Sequence, residues 1–214
     1  MGLLKRSTLP NALTVLRVVL APAIFFLVFL SGFGARALAF VLFLVAALSD
    51  VWDGHLARKH GWITDFGKLM DPVADKLLLA ATFVPFYILS RRPDPGPLPF
   101  LGSLPLWIIL VIFGREALVT GLRMFAARRG LVLPAGRAGK QKALLQNLFI
   151  GSTLAWYAIR AAAADAHWSG PLWAAWQAFH GTVVASTLVL AVGLTIYSLA
   201  VYLWKWRSLM REAV

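Results

Sequence analysis

Two stretches decide how this chain folds: Asp50-Val51-Trp52-Asp53-Gly54-His55-Leu56-Ala57-Arg58 and Gly67-Lys68-Leu69-Met70-Asp71-Pro72-Val73-Ala74-Asp75. Both set carboxylates beside strongly apolar sequence. Successive α-helical residues turn by about 100°, so Asp50, Asp53, Gly54 and Ala57 share a stripe about 100° wide, and Gly67, Asp71 and Asp75 one about 80° wide. The connector from His60 to Phe66 is short. Two antiparallel helices joined by it can turn these stripes toward each other, which gathers four carboxylates. Asp65, just before the second stripe, is either a helix N-cap or a substrate contact.

Such a gathering needs a reason. An acidic residue at mid-bilayer costs about 2.5–3.5 kcal/mol, so four cost on the order of 10 kcal/mol before mutual repulsion is counted. Bound cations are the simplest compensation. With no cysteine in the chain and no paired histidines, hard oxygen ligands favour Mg²⁺, Mn²⁺ or Ca²⁺ over Zn²⁺. Gly54, Ala57 and Gly67 lie on the same faces as the carboxylates. Small residues there serve close helix packing or leave a gap for a substrate group.

The rest of the composition places these helices in a membrane. The 214 residues are 60% hydrophobic and 14% charged, against about 45–50% and about 25% in soluble domains. A span needs about 20 mostly apolar residues. Six such segments fall at 12–32, 35–57, 69–90, 103–126, 140–162 and 181–204. They predict an all-α polytopic membrane protein: a single domain over residues 1–214, with six spans after a short cytoplasmic or interfacial N-terminal segment. Arg91 to Pro97 holds three prolines and reads as a non-helical connector. Trp168, Trp173 and Trp176 with Pro171 make residues 163–180 an interfacial segment. Lys5-Arg6, the following apolar run and Ala37-Leu38-Ala39 loosely match a signal peptide, but Arg17 interrupts the run, so no cleavage is expected.

The net charge of +12 would suit nucleic acid in a soluble protein. Here the basic residues lie between apolar segments, without the interleaved aromatics of a nucleic-acid surface. With the N-terminus inside, 14 Lys and Arg fall on the inner side and 4 on the outer. That bias predicts both termini and the carboxylate cleft on the cytoplasmic side.

The spacing D-x2-D-G-x2-A-R-x8-G-x3-D-x3-D, met by Asp50, Asp53, Gly54, Ala57, Arg58, Gly67, Asp71 and Asp75, resembles the signature of the CDP-alcohol phosphotransferase family. Pro10-Asn11-Ala12-Leu13-Thr14-Val15-Leu16-Arg17 is similar to that family's opening. Asp71 to Lys76, Arg115 to Arg123, and Gly139-Lys140-Gln141-Lys142 are similar to its phosphatidylglycerophosphate synthase branch. Ala143 departs from the threonine expected there. The likeness covers about residues 10–146; the last third agrees only in hydropathy.

The resemblance implies transfer of a phosphatidyl group from CDP-diacylglycerol to glycerol 3-phosphate, in the bacterial cytoplasmic membrane, by a homodimer. It implies two divalent ions, Mg²⁺ or Mn²⁺, on Asp50, Asp53, Asp71 and Asp75, with Asp75 also the general base. It implies that Gly54, Ala57, Arg58 and Gly67 accommodate the CDP group. The residues alone do not say which carboxylate is the base, and Arg58 can equally be a surface cation.

Arg115, Arg123, Lys140 and Lys142 are candidates for the acceptor phosphate, which arginine grips bidentately. Arg115 and Arg123, eight apart, can face one side. Glu116 offers Arg115 an alternative as a structural ion pair. Asn11, Thr14 and Arg17 either line the cavity or satisfy one another. Within the family the rival acceptors are an inositol phosphate, serine or phosphatidylglycerol. Outside it, the Asp cluster suits a cation transporter, or the chain is a membrane scaffold indifferent to Asp→Asn changes. The orientation has its own test. A cysteine introduced by Gly61→Cys reacts with impermeant reagent from the cytoplasmic face only; labelling from outside intact cells would overturn the topology.

Overall fold

In the computed structural model the chain folds into six helices: α1 (Thr8–Phe29), α2 (Phe33–His60), α3 (Asp65–Leu89), α4 (Leu106–Arg128), α5 (Arg137–Asp165) and α6 (Pro171–Glu212). The structure describes residues 8–60, 65–129 and 137–212, without side chains at 8–10, 51, 53–60, 65, 68, 137, 205 and 208–212. Among the described residues there is no strand, only an isolated bridge between Leu98 and Gly102. Each predicted span has its helix. Stretches in α1, α2, α3 and α6 are long and apolar enough to cross a membrane by length and composition. In α4 and α5 the charges of Arg115, Glu116, Arg123, Lys140 and Lys142 interrupt the apolar run.

The helix ends follow local chemistry. The connector after α3 is non-helical, as its prolines require. Residues 163–180, read as interfacial, are largely helical. Helix α5 runs on to Asp165, and α6 starts at Pro171, where the fixed φ of proline suits a first helical turn. Helix α6 therefore takes in Trp173 and Trp176, and its 42 residues span about 60 Å, twice the apolar thickness of a bilayer.

Helix α1 packs against α2 and α3, α2 against α5, α5 against α6, and α4 against α6 and α3. The buried core is aliphatic with an aromatic cluster, and Leu78 and Ile150 carry it up to the carboxylate cavity. Phe86 meets the rings of Phe149 at 5.9 Å and Tyr157 at 5.7 Å, both edge-on, and Phe83 meets Phe149 at 5.3 Å. Outward-facing Val19, Phe26, Leu110 and Val189 are exposed, the surface expected against lipid rather than water.

At the end of the bundle away from the carboxylates, the α3–α4 connector is tied down. Arg36, buried at the start of α2, pairs with Asp94 at 2.7 Å, and Leu104 N donates to Ser90 Oγ at 2.9 Å. Pro99 and Phe100 close on α6 at Gly181, where a Cβ would come within 2.9 Å of Pro99 Cβ and 2.8 Å of Phe100 Cε2. Gly181→Ala must push this connector outward. Such overpacking typically costs about 1–3 kcal/mol, so the detergent-solubilised variant is expected to melt several degrees lower than the parent. An unchanged melting temperature would show that the connector yields freely.

Candidate active site

The site is built on a residue that an apolar span should not contain. Arg17 lies in the middle of α1 with its side chain 1% exposed, and an unpaired arginine there is costly. Its partners come from two other helices. Nη1 donates to Asp50 Oδ1 of α2 and to Asp75 Oδ1 of α3, each at 2.6 Å, and Nη2 donates to Asp71 Oδ1 at 3.1 Å. Thr14, three residues earlier on the same face of α1, donates to the same Asp71 oxygen at 2.7 Å. The misplaced cation and the misplaced carboxylates each solve the other's problem.

Among the described residues, three carboxylates share this one guanidinium. Arg17 is buried behind them, whereas Asp50 and Asp71 are 47% and Asp75 60% exposed. Asp50 and Asp75 line a cavity together with Arg17, Lys76, Lys142 and Gln146, among others. The three carboxylates gather on Arg17, and among the described residues no group of three His, Cys, Asp or Glu is placed to hold a metal ion. The donors themselves are hard oxygens with a partly exposed face, the chemistry that suits divalent cations. The side chains of Asp53, Gly54, Ala57 and Arg58 lie outside the described residues, as does that of Asp65 at the start of α3. Gly67 lies in the first turn of α3, four residues before Asp71.

The second constellation divides. Glu116 accepts from Arg115 at 3.0 Å and also pairs with Lys142 of α5. All three side chains are largely buried, and Glu116 and Lys142 line the carboxylate cavity. Helix α5 begins against this group, for a Cβ at Gly139 would stand 3.6 Å from Arg115 Nη2. Arg123 does not join them. It is exposed, with its guanidinium 5.8 Å from the Tyr202 ring of α6. Lys140 is exposed as well. Eight residues turn a helix about 80° beyond two full turns, so Arg115 and Arg123 take different neighbours. The expected ion pair of Arg115 with Glu116 is present, but it is a triad that includes Lys142.

Sequence reading left Arg17 and Thr14 open, and the structure gives both to the carboxylates. The signal was present: a cation inside one span and unsatisfied acids inside two others. Lys76, whose Nζ donates to Thr120 Oγ1 at 2.9 Å and so ties α3 to α4, and Gln146 on the cavity wall were not singled out. Neither belongs to a charge pattern that spacing alone can reveal.

With the geometry in view, comparison with known proteins is specific. The family model described as CDP-alcohol phosphatidyltransferase matches residues 7–209. A probable phosphatidylglycerophosphate synthase of Mycobacterium tuberculosis is 37% identical over 153 residues, 70% of this chain and 67% of the relative. A CDP-diacylglycerol–glycerol-3-phosphate 3-phosphatidyltransferase of Rickettsia typhi is 37% identical over 140 residues, 65% of this chain and 72% of its own. A chloroplastic/mitochondrial enzyme of the same name from Arabidopsis thaliana is 33% identical over 216 residues, covering 97% of this chain and 66% of the relative.

Removing Arg17 exposes its part in the cluster. In Arg17→Met the three carboxylates face one another uncompensated, so thermal stability without divalent ions should fall. Added Mg²⁺ should restore more stability to the variant than it adds to the parent. A variant equally stable with and without Mg²⁺ would show that the guanidinium is not the counter-ion.

Proposed function

The chain belongs to the CDP-alcohol phosphatidyltransferase family, and we propose that it transfers the phosphatidyl group of CDP-diacylglycerol to glycerol 3-phosphate, giving phosphatidylglycerophosphate and CMP. The observation that carries this reading is the meeting, in one cavity, of Asp50 and Asp75 with Lys76 and Lys142. A reaction between a diphosphate and a phosphorylated alcohol needs both metal-binding acids and fixed cations. The names of the bacterial and plant relatives support the same donor and acceptor.

Asp50, Asp53, Asp71 and Asp75 would hold two divalent ions, Mg²⁺ or Mn²⁺, which supply charge neutralisation to the donor diphosphate and the departing CMP. Asp75, the most exposed of the three described carboxylates, accepts the proton of the attacking hydroxyl. The hydroxyl oxygen forms a bond to the phosphatidyl phosphorus, and the bond from that phosphorus to CMP breaks. Arg17 holds Asp75 from behind and leaves its open face to the acceptor. Gly54, Ala57, Arg58 and Gly67 take the CDP group. Arg115 and Lys142 receive the acceptor phosphate, with the exposed Arg123 and Lys140 drawing anions toward the protein. The cleft opens on the cytoplasmic side, as the charge bias supports, and the active form is the homodimer that the family resemblance implies.

Purified protein supplied with CDP-diacylglycerol should release CMP with glycerol 3-phosphate, and EDTA should abolish the release. A charge-assisted hydrogen bond contributes about 1.5–3 kcal/mol. Lys142→Ala is therefore expected to raise the KM for glycerol 3-phosphate roughly ten- to a hundred-fold, with a much smaller change in that for CDP-diacylglycerol. Full activity after EDTA treatment, or faster CMP release with serine or an inositol phosphate, would contradict the assignment.

A further inference from the structure

Several buried polar atoms on α5 have no hydrogen-bond partner among the described residues: Gln146 Nε2, Thr153 Oγ1, Trp156 Nε1 and Tyr157 Oη. Of these, Gln146 alone borders the carboxylate cavity. Its residue is 4% exposed, as is Lys142, one turn earlier on the same face of α5. A buried donor without an acceptor is costly, and an amide beside a substrate cavity is a means of recognising a substrate oxygen.

The surroundings narrow which oxygen this is. Lys142 on the same cavity wall already offers a cation suited to a phosphate, with Arg115 behind it on Glu116. The amide of Gln146 is neutral and donates through Nε2, which suits an uncharged hydroxyl. Four residues along a helix rise about 6 Å, the scale of a three-carbon acceptor between its phosphate and its hydroxyls. Asp75 faces the same cavity and takes the attacking hydroxyl, so the amide is left for the hydroxyl on the neighbouring carbon. From this we infer that Gln146 is a specificity-determining residue, donating from Nε2 to the acceptor hydroxyl that does not react. This inference rests on the proposed reaction. It adds to it a reason why a vicinal diol phosphate is preferred to an alcohol of equal charge that lacks the middle hydroxyl.

The test compares glycerol 3-phosphate with 3-hydroxypropyl phosphate, which keeps the phosphate and the reacting hydroxyl but lacks the middle one. One neutral hydrogen bond is worth about a ten-fold preference, so wild-type kcat/KM should favour glycerol 3-phosphate by about that factor. Gln146→Met keeps the length of the side chain and removes the donor. It should lower kcat/KM for glycerol 3-phosphate about ten-fold, leave the analogue nearly unchanged, and leave Mn²⁺ affinity at the parent value. Equal losses with both acceptors, or a preference kept intact, would overturn the inference. If Gln146→Met does not fold, Gln146→Asn withdraws the amide by one methylene and should show the same selective loss; a retained preference in that variant is equally adverse. Wild-type protein that releases CMP with neither acceptor would defeat the proposed reaction and this inference together. Wild-type protein that uses both acceptors equally would defeat this inference alone.

Discussion

One guanidinium organises the reactive end of this molecule. Arg17 reaches from α1 to Asp50 on α2 and to Asp71 and Asp75 on α3. Charged groups inside spans are costly singly, and the breaking of a buried pair leaves the survivor uncompensated. The three helices are therefore bound to a common register: a slide of one past another would strand either the cation or its acids. Arg17 holds these acids from the buried side, while Asp50 and Asp75 also border the cavity.

The remainder of the bundle divides its labour along the helix axes. Aromatic packing of Phe83, Phe86, Phe149 and Tyr157 fills the half away from the acids. In lipid this packing works through close contact rather than through exclusion of water. Helices α4 and α5 carry the second polar group, where Arg115, Glu116 and Lys142 satisfy one another beside the cavity. Glu116 thus keeps two cations in place. Under the proposed reaction, these cations would meet the acceptor phosphate already fixed in place, a form of preorganisation.

Much of this was legible in the sequence. Six apolar segments gave six helices, because span length and hydropathy report on lipid directly. The acid spacing gave the two stripes, because residues on one helix keep a fixed angular relation. What spacing cannot give is a partner on another helix. Arg17 belonged with Asp50, Asp71 and Asp75, which lie 33 to 58 residues away along the chain. Arg115 and Arg123 looked like companions, yet one turned to Glu116 and the other to Tyr202. Gln146 carried no charge pattern at all; only the cavity beside it makes its amide conspicuous. The start of α6 at Pro171 was not legible because a tryptophan-rich interfacial segment carries no signal of its own for where a helix begins.

Anomalous diffraction at the manganese edge, on crystals of the protein grown with Mn²⁺ and a CDP-linked donor, decides whether the carboxylates backed by Arg17 take two divalent ions. Two manganese peaks are expected within coordination distance of Asp50, Asp53, Asp71 and Asp75, with the Arg17 guanidinium still on their buried side. Manganese bound elsewhere, or Arg17 turned away from all three of its carboxylates, would rule this arrangement out.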